Sequence, residues 1–473
     1  MGNVHATTLT GESIALDETA IESLRGHLRG DLILPDDARY DESRKVYNAM
    51  IDRRPALIAR CHGTADVVAA VNFARDNLLL VSVRGGSHNV TGSAVCNGGL
   101  VIDLSPMKGT RVDPGRRTLR AEGGCTWGDA DHATHEYGLA TPGGIISTTG
   151  IGGLTLGGGI GHLTRHYGLS CDNVISADVV TADGRTLTAS KDENADLYWA
   201  LRGGGGNFGV VTSFQFRLHP VDAVYAGPIL YPLERAADAL RFYRDYMHEA
   251  PDEMGAFFAF LIVPPGPPFP EHLHNKTLCG IVACYSGPME QAEKVVRPLA
   301  TFGPPAFAGV VPMPFPALQS AFDVLVPPGL FHYWKADFVG DLSDEIIAGH
   351  VEHGPKIPTV SSAMHIYPVS GAAGRVGPDE TAFSYRDANY VHVIAAMYPD
   401  AGDTPRYRDW VREYWSALHP YSAGGAYVNF LMDEGEDRIR ATYRGNYDRL
   451  AALKAKYDPG NLFRMNQNIR PAA

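Results

Sequence analysis

The chain has 473 residues, of which 45% are hydrophobic, and it carries 41 Lys and Arg against 53 Asp and Glu, a formal net charge of −12 at pH 7. A chain of this length is expected to form two or three domains with substantial cores. The negative charge is spread without long runs of one sign, which disfavours nucleic acids and anionic membranes as partners. No stretch of the sequence approaches the roughly 18 apolar residues of a membrane-spanning helix.

The six cysteines show neither a Cys-x-x-Cys pair nor a spacing with histidine that would suit a metal site. We therefore expect free thiols and no metal, as in a protein of the reducing cytoplasm. Residues Met1 to Ala6 lack a basic start followed by an apolar core, so no secretion signal is predicted. The expected location is cytoplasmic.

Hydrophobic periodicity in the first part of the chain alternates between the helical and the extended period. It predicts helices over 16–28, 64–77, 127–138 and 193–202. It predicts strands over 31–34, 57–60, 78–83, 100–104, 118–122 and 210–218, and a strand with a tight Asp-Gly turn over 178–185. This alternation of helices and strands continues to about Leu218.

The pattern changes from about Pro220, where apolar and aromatic strands are separated by proline-rich loops. Strands are predicted over 256–263, 277–285, 331–339, 363–368 and 392–398. Helices are predicted over 236–249, 289–299, 344–352 and 406–418. A last helix over 446–454 ends at Asp458-Pro459-Gly460, because proline and glycine terminate helices.

A glycine-framed histidine follows the predicted strand 78–83, in the segment Arg84-Gly85-Gly86-Ser87-His88-Asn89. Paired glycines let the backbone turn sharply and approach a ligand closely. Successive backbone N–H groups in such a turn form a concave anion site, and Arg84 and Ser87 add donors that suit a phosphate. For this segment alone, a polar surface turn with a stray histidine is the alternative interpretation.

A second glycine-rich stretch runs from Gly143 to Gly161 and is too long for one turn. It is dense in glycine and hydroxyl groups but almost free of charge, which suits a large, flat, partly apolar ligand that carries phosphates. A third segment, Gly204 to Gly209, satisfies Gly-x-Gly-x-x-Gly, but a predicted helix precedes it and a predicted strand follows it. A dinucleotide fingerprint has the opposite order, so a nicotinamide site is disfavoured.

With these motifs the sequence resembles the berberine-bridge-enzyme-like branch of the vanillyl-alcohol oxidase superfamily of flavin-linked oxidases. The resemblance extends from Pro55 to Ile469. It implies an α+β fold in which a two-part PCMH-type FAD-binding domain adjoins a substrate domain with an antiparallel sheet backed by helices. We predict the FAD-binding domain over 1–219 (core about 50–219), the substrate domain over 220–425, and a berberine-bridge-type segment over 426–473 that returns to the FAD domain.

The resemblance implies that FAD is the cofactor and that one covalent bond joins its 8α-methyl carbon to His88. Many family members add a bond from a cysteine, but Ile146 stands at that position here, so a second bond is not expected. Cys171 is interpreted as a buried small hydrophobe. The residues predicted to hold the cofactor are Arg84, Gly85, Gly86, Ser87, His88, Asn89, Gly92, Ser147, Thr148, Thr149, Gly150, Gly152, Gly153, Gly157, Gly161, Val211, Asn466 and Asn468.

The catalytic base is harder to assign, because Phe430 replaces the last tyrosine of the Tyr-x-Asn-Tyr motif, which is the base in many relatives. If this segment is a strand, Tyr427 and Asn429 face the same side, opposite Phe430. We take Tyr427 and Asn429 as candidate catalytic residues. The alternative for Tyr427 is a packed tyrosine without a chemical role.

Lys335 is a third catalytic candidate, because Tyr333 and Asp337 share its face of an alternating strand and would present a polar set to a substrate. A surface lysine is the alternative interpretation. His365 and Tyr367 share a face of another predicted strand and form a further option. Oxidation of a neutral amine needs no base and would fit the loss of the usual tyrosine.

A flavin accepts a hydride from a C–H bond next to oxygen or nitrogen, so we expect oxidation of an alcohol or amine carbon in a small molecule. Dioxygen is the expected acceptor, giving hydrogen peroxide, and Ile151 occupies the family position that gates oxygen access. A flavin dehydrogenase with another acceptor and a flavin-binding protein with little turnover stay open as alternatives. Aromatic density favours a ring-bearing or flat substrate, as indicated by Tyr333, Trp334, Tyr367 and Tyr390. The oligomeric state and the choice between alcohol and amine stay open.

Overall fold

The computed structural model describes residues 4–472, and its first part alternates short strands and helices much as the periodicity predicts. The strands are β1 (His5–Thr7), β2 (Ser13–Ala15), β3 (Asp31–Ile33), β4 (Leu57–Arg60), β5 (Val81–Arg84), β6 (Leu100–Asp103), β7 (Thr110–Asp113), β8 (Thr118–Glu122), β9 (Leu139–Ala140), β10 (Val174–Val180), β11 (Thr186–Ser190) and β12 (Val210–Arg217). The helices are α1 (Glu18–His27), α2 (Tyr40–Ser43), α3 (Thr64–Asp76), α4 (Trp127–His135), α5 (Ile151–Leu156), α6 (Thr164–Tyr167) and α7 (Ala195–Leu201).

The first part of the chain forms two sheets, and the first glycine segment directly follows a strand of one of them. The four-stranded sheet has the order β3-β4-β6-β5, with β6 parallel to both β4 and β5. The five-stranded sheet, in the order β11-β10-β12-β8-β7, is antiparallel. The helix α3 connects β4 to β5, and the chain leaves β5 at Arg84 directly into the glycines. His88 therefore lies beyond the carboxyl end of a parallel strand, where open α/β sheets bind ligands.

The strand predicted over 78–83 begins later than expected. Leu78 has a left-handed φ of 53° and is 62% exposed, so the chain is still turning at this residue. The strand starts at Val81, the first residue that pairs with β6 in the parallel ladder.

The second part of the chain continues with longer strands. They are β13 (His219–Pro220), β14 (Ala223–Tyr231), β15 (Met254–Ile262), β16 (Thr277–Tyr285), β17 (Phe307–Ala308), β18 (Val311–Pro314), β19 (Phe331–Val339), β20 (Ala363–Pro368) and β21 (Tyr390–Tyr398). The helices are α8 (Ala236–Glu249), α9 (Met289–Thr301), α10 (Phe315–Gln319), α11 (Asp344–His353), α12 (Thr404–Leu418), α13 (Glu436–Tyr443) and α14 (Tyr447–Tyr457).

An eight-stranded antiparallel sheet dominates this part, in the order β17-β14-β16-β15-β20-β21-β19, with β18 paired to β14. The strand β14 was not predicted, because Gly227 and Pro228 in its interior disfavour a strand. In the structure Gly227 lets a neighbouring backbone approach closely. A Cβ atom there would lie 2.2 Å from the carbonyl oxygen of Gly309.

The two faces of the eight-stranded sheet pack against different partners. Phe258 on one face belongs to a core shared with α8, α9, α11 and α12. Its neighbour Phe257 belongs to a second core, which includes Ile160 from the second glycine-rich stretch. The side chains alternate along β15, so one face meets the helices and the other faces the glycine-rich segments.

The C-terminal segment packs on the first part of the chain. Lys454 in α14 is fully buried, its Nζ donates hydrogen bonds to the carbonyl oxygens of Asn207 (2.7 Å) and Phe463 (2.9 Å), and it pairs with Asp458 at 2.7 Å. The domain limits at 219 and 425 stay predictions. Among the helices of residues 4–472, none has the length and apolar character needed to cross a bilayer.

Candidate active site

A cavity of about 1020 Å³ lies between the glycine-rich segments and the face of the eight-stranded sheet that carries Phe257. All three glycine segments line it, through residues such as Gly86, Gly150 and Gly205. The third segment follows α7 and precedes β12, which confirms the helix-loop-strand order predicted for it. The cavity is large enough for a dinucleotide-sized cofactor together with part of a small substrate.

The first glycine segment presents a row of free donors. None of the backbone N–H groups from Gly85 to Asn89 donates a hydrogen bond within residues 4–472. The buried hydroxyl of Ser87 also lacks a partner, and this residue has a left-handed φ of 61°. Unpaired N–H groups in a turn that lines a cavity can bind an anionic ligand such as a phosphate.

The first and second glycine segments meet backbone to backbone. A Cβ atom on Gly86 would lie 2.3 Å from the backbone nitrogen of Gly150, and one on Gly150 would lie 2.4 Å from that of Gly86. No side chain fits between the two loops. The glycines are therefore required for the loops to close the cavity at this end.

The imidazole of His88 lines the cavity and is held on three sides. Its ring stacks on Tyr47 with 3.8 Å between centroids, its Nε2 lies 3.0 Å from Thr148 Oγ1, and its Nδ1 lies 3.3 Å from Thr149 Oγ1. Burial, with a smaller effect from His332, lowers the pKa of His88 to about 3. The ring is therefore neutral at neutral pH and keeps a lone pair available for bond formation.

Three residues near the second glycine segment differ in their surroundings. They are Ile146, Ile151 and Cys171. Ile146 lines the cavity but has no nucleophilic atom. Ile151, the first residue of α5, is fully buried in the core of the first part of the chain and does not line the cavity. Cys171 is buried on the sheet side, and burial raises the pKa of its thiol well above the ordinary value. All six cysteines are buried and free, as predicted.

The other residues predicted to bind a cofactor divide into two groups. The members that line the cavity are Gly85, Gly86, Ser87, Asn89, Thr149, Gly150, Gly152, Gly153, Val211 and Asn466. Asn466 and Asn468 each have a buried amide oxygen without a partner. Asn466 lines the cavity, so its oxygen can accept a hydrogen bond from a ligand there, whereas Asn468 does not line it.

Several predicted residues contact protein instead. The guanidinium of Arg84 donates to the carbonyl of Ser43, and Ser147 binds Asp323 through its hydroxyl and through its N–H at 2.9 Å. A Cβ on Gly92, Gly157 or Gly161 would strike Ile51, Asn429 or Gly143, respectively, so these glycines serve close packing. Their backbone geometry still shapes the loops that line the cavity.

The segment 427–430 is not the predicted strand. Residues Val428–Phe430 form a 3₁₀ turn, and the N–H of Phe430 donates to the carbonyl of Tyr427 at 2.8 Å. The turn brings the rings of Tyr427 and Phe430 to 4.8 Å, so the expected placement on opposite sides was wrong. The hydroxyl of Tyr427 accepts hydrogen bonds from the N–H of Gly159 (2.9 Å) and from Asn429 Nδ2 (2.7 Å).

Lys335 lies on the predicted strand, but its side chain faces away from the cavity. Its Nζ pairs with Glu434 at 2.6 Å and lies 4.8 Å from the ring centroid of Trp415 in α12. Trp334, the next residue along the strand, lines the cavity. The expectation that the face of Lys335 meets the substrate was wrong, because that face packs against the helices. Tyr333 also faces the helices, and its hydroxyl accepts a hydrogen bond from Arg412 in α12 at 3.0 Å.

His365 and Tyr367 both face the cavity from β20. Their side chains share a hydrogen bond of 2.6 Å between His365 Nδ1 and the Tyr367 hydroxyl. Among the described residues that line the cavity, there is no Lys, Arg, Asp or Glu. An unpaired charge would be costly in such a site, so the cavity suits a neutral molecule apart from the anionic part of a cofactor at the N–H row.

Two family models match the sequence: an FAD binding domain over residues 55–190, and a berberine and berberine-like domain over residues 426–470. An FAD-linked oxidoreductase of Dictyostelium discoideum is 35% identical over 431 residues, which cover 90% of this chain and 91% of that protein. The chain belongs to the berberine-bridge-enzyme-like family of FAD-linked oxidoreductases.

Other members of the berberine-bridge-enzyme-like family include enzymes of stated activity. The (R)-6-hydroxynicotine oxidase of Paenarthrobacter nicotinovorans is 30% identical over 472 residues, covering 94% of this chain and 97% of that enzyme. The crystal structure of 6-hydroxy-D-nicotine oxidase from Arthrobacter nicotinovorans has a TM-score of 0.84 at 29% identity, covering 94% of this chain and 98% of that one. These likenesses confirm the predicted α+β, PCMH-type fold.

FAD is the cofactor of this berberine-bridge-enzyme-like protein, and the cavity fits it. The N–H row of Gly85 to Asn89 suits the phosphates, and the apolar remainder of the cavity suits a flat ring system. Sequence reasoning missed Tyr47 and Asp323, which contact the two glycine segments. Neither residue belongs to a motif, so no local signal could have found them.

Proposed function

We propose that this protein oxidises an alcohol or amine carbon of a small, neutral, ring-bearing molecule and passes the electrons to dioxygen, giving hydrogen peroxide. One observation carries the proposal: a charge-free cavity with aromatic walls opens onto the loop of His88. When bound, FAD accepts a hydride from the substrate carbon. Trp334, Phe257 and Tyr367 offer flat apolar surfaces on which a ring can stack.

We also propose that His88 forms the single covalent bond to FAD. Its neutral imidazole is held in one orientation by Tyr47 and by the hydroxyls of Thr148 and Thr149. A fixed nucleophile reacts faster than a mobile one, because its orientation costs no further entropy. Ile146 cannot form a bond, so no second linkage is proposed.

Tyr427 and Asn429 are proposed to position the cofactor site rather than to carry the proton chemistry. The Tyr427 hydroxyl binds the N–H of Gly159, and Asn429 Nδ2 donates to the carbonyl of Leu154 at 3.0 Å. Both contacts hold the second glycine segment against the turn at residues 427–430. A role as proton acceptor does not suit Tyr427, because its hydroxyl oxygen already accepts hydrogen bonds from the N–H of Gly159 and from Asn429 Nδ2.

The test of the function is anaerobic reduction of the purified, FAD-loaded protein. Benzyl alcohol, cinnamyl alcohol, benzylamine and cellobiose are each added while the flavin absorbance is followed. The proposal expects bleaching with the two aromatic alcohols and with the uncharged form of benzylamine, and not with cellobiose, whose hydroxyls would meet an apolar wall. Admission of air should restore the colour and release hydrogen peroxide.

Two outcomes of that test separate the alternatives. Fast recovery with quinone dyes but very slow recovery in air would make the protein a dehydrogenase. Failure of every compound to bleach the wild-type flavin would favour a flavin-binding protein with little turnover.

The linkage is tested by denaturation. Flavin should stay with the polypeptide after acid precipitation, and proteolysis should give one flavinylated peptide that contains His88. His88→Ala should release the flavin on denaturation, whereas the matched Cys171→Ala variant should retain it. Recovery of a flavinylated Cys171 peptide would overturn the assignment.

A further inference from the structure

A hydrogen-bonded pair lies on the cavity face of β20, at His365 and Tyr367. The 2.6 Å contact joins His365 Nδ1 to the Tyr367 hydroxyl, and the two ring planes are nearly perpendicular at 86°. Phe257 packs against both rings, with centroid distances of 4.8 Å to His365 and 5.2 Å to Tyr367. The pair is therefore held in one geometry by an apolar neighbour and not by competing polar groups.

The ring of Tyr367 lies next to that of Phe430, the residue that stands where many relatives have a tyrosine. Its ring centroid is 6.1 Å from that of Phe430, and Trp334 packs on Phe430 from another side at 5.7 Å. All of these side chains line the cavity. A substrate placed against Phe430 is thus within reach of a phenol, although residue 430 itself supplies none.

We propose that Tyr367 and His365 together take the proton from a hydroxyl group of the substrate, which makes the substrate a neutral ring-bearing alcohol. This inference rests on the proposed function. Tyr367 is the group that touches the substrate, and His365 acts through it. Tyr367 then takes over the role that the resemblance assigns to a tyrosine at the position of Phe430.

The proton step balances as a relay. The substrate O–H bond breaks and its proton passes to the Tyr367 oxygen, while the Tyr367 O–H proton passes to His365 Nδ1. The substrate C–H bond breaks with its electron pair, which leaves as the hydride that FAD accepts, and a C=O bond forms. The substrate loses two electrons, Tyr367 ends as it began, and His365 carries one extra proton that it later returns to water.

Burial sets the protonation states of the pair before the transfer. It lowers the pKa of His365 to about 3, so the ring is neutral at neutral pH, and the relay uses the tautomer in which Nδ1 accepts from the Tyr367 hydroxyl. Burial raises the pKa of Tyr367 well above its ordinary value, so the tyrosine is a hydroxyl and needs an acceptor for its proton. The other titratable side chains lining the cavity are His88, Tyr47, Tyr427 and Tyr443.

The experiment is anaerobic stopped-flow reduction of FAD-loaded wild type, Tyr367→Phe, His365→Asn and His365→Gln. Benzyl alcohol, cinnamyl alcohol and 1-phenylethanol form the alcohol arm, and benzylamine and N-methylbenzylamine form the amine arm. We expect the limiting rate of reduction by the alcohols to fall by about 10²- to 10⁴-fold in Tyr367→Phe, the range for loss of a general base. Wild type should be independent of pH between 5 and 9, whereas His365→Asn should become faster as pH rises.

Controls separate a chemical effect from a folding effect. Tyr246→Phe is the matched variant, because it removes a half-buried tyrosine hydroxyl that donates to the carbonyl of Val295, away from the cavity. Its reduction rate should equal that of wild type. Flavin absorbance and the rate of reoxidation of photoreduced protein in air should be the same in all variants.

The outcomes distinguish a failure of the Tyr367–His365 relay from a failure of the proposed function. Equal rates with alcohols in wild type and Tyr367→Phe would overturn the relay and leave the proposed function intact. Reduction of wild type by the amines alone would also overturn the relay. Reduction of wild type by none of the compounds would overturn the proposed function, and the relay with it.

Discussion

The ring of Tyr47 stacks on the imidazole of His88, with 3.8 Å between the centroids and 20° between the planes. The Tyr47 N–H donates to the carbonyl of Ser87 at 3.1 Å, and its hydroxyl donates to the carbonyl of Val326. Tyr47 is therefore fixed at both ends and presents one face to His88. It holds the imidazole in the orientation from which the bond to FAD is proposed to form.

Replacing Tyr47 by alanine should slow the covalent attachment of FAD. Aromatic stacking contributes about 0.5–1.5 kcal/mol, which corresponds to a change of up to about tenfold in rate if it acts on the attachment step. The measurement is the covalent flavin fluorescence of apoprotein reconstituted with FAD, followed over time on denaturing gels. Tyr47→Phe keeps the stack and should attach flavin nearly as fast as wild type; equal rates for Tyr47→Ala and wild type would contradict this role.

Lys335→Met should reduce stability without reducing the rate of flavin reduction. The Lys335–Glu434 pair is largely buried, and removing one partner of a buried pair costs about 3–5 kcal/mol because the other charge is left in place. Arg438, 3.6 Å from Glu434, should keep the loss near the lower end of that range. Urea unfolding measures the loss, and Lys191→Met, at an exposed pair with Asp192, should cost far less. Unchanged stability with a strongly reduced rate would return Lys335 to the catalytic residues.

Ile151→Ala should accelerate reoxidation of the photoreduced flavin by dioxygen several-fold. Ile151 is fully buried and lies in the chain between Gly150 and Gly152, which line the cavity, so its truncation opens space next to the cavity wall. Loss of the side chain should also cost about 2–5 kcal/mol of stability. The rate of absorbance recovery in air is the readout, and Ile21→Ala, at a buried isoleucine that does not line the cavity, is the matched control. Identical reoxidation in both variants would argue against a gate at Ile151.

The protein should lose stability as pH falls from 6.5 towards 4, partly through His332. This residue is fully buried, neither ring nitrogen has a partner, and burial lowers its pKa from 6.5 to about 4. Between these values the unfolded chain binds the proton and the folded chain does not, so the loss is about 1.4 kcal/mol per pH unit. His332→Leu should lower the slope of unfolding free energy against pH by that amount between pH 6 and 5. His272→Leu, at an exposed histidine, should leave the slope unchanged.

Local sequence signals were sufficient to predict the first glycine segment and most strands of the large sheet. A buried β-branched strand, paired glycines and a histidine follow one another within a few residues, so the sequence predicts the strand, the turn and the place of the histidine together. The long apolar strands were found because burial on both faces requires apolar residues throughout. The strand β14 was missed because its Gly227 and Pro228 are typical of turns and are tolerated only where neighbouring strands demand them.

The alternation of side chains along a strand predicted that Lys335 and Tyr333 share one face. It predicted the same of His365 and Tyr367 on another strand, and both groupings hold in the structure. A period of two residues cannot tell which face meets a cavity, because that depends on what packs on each side of the sheet. The helix α12 covers the face of Lys335, whereas the face of Tyr367 stays open to the cavity.

The sequence by itself determined the family, the FAD cofactor and the histidine loop, because these depend on residues that are neighbours along the chain. Only the tertiary structure decided that Tyr47 stacks on His88 and that Tyr367 lies 6.1 Å from Phe430, because each pair is far apart in sequence. The turn at Val428–Phe430 was likewise found only in the structure, where Phe430 packs on Trp334 and Tyr367 of the sheet. Long-range packing chooses the faces and distances on which the proposed chemistry depends, and no local pattern encodes them.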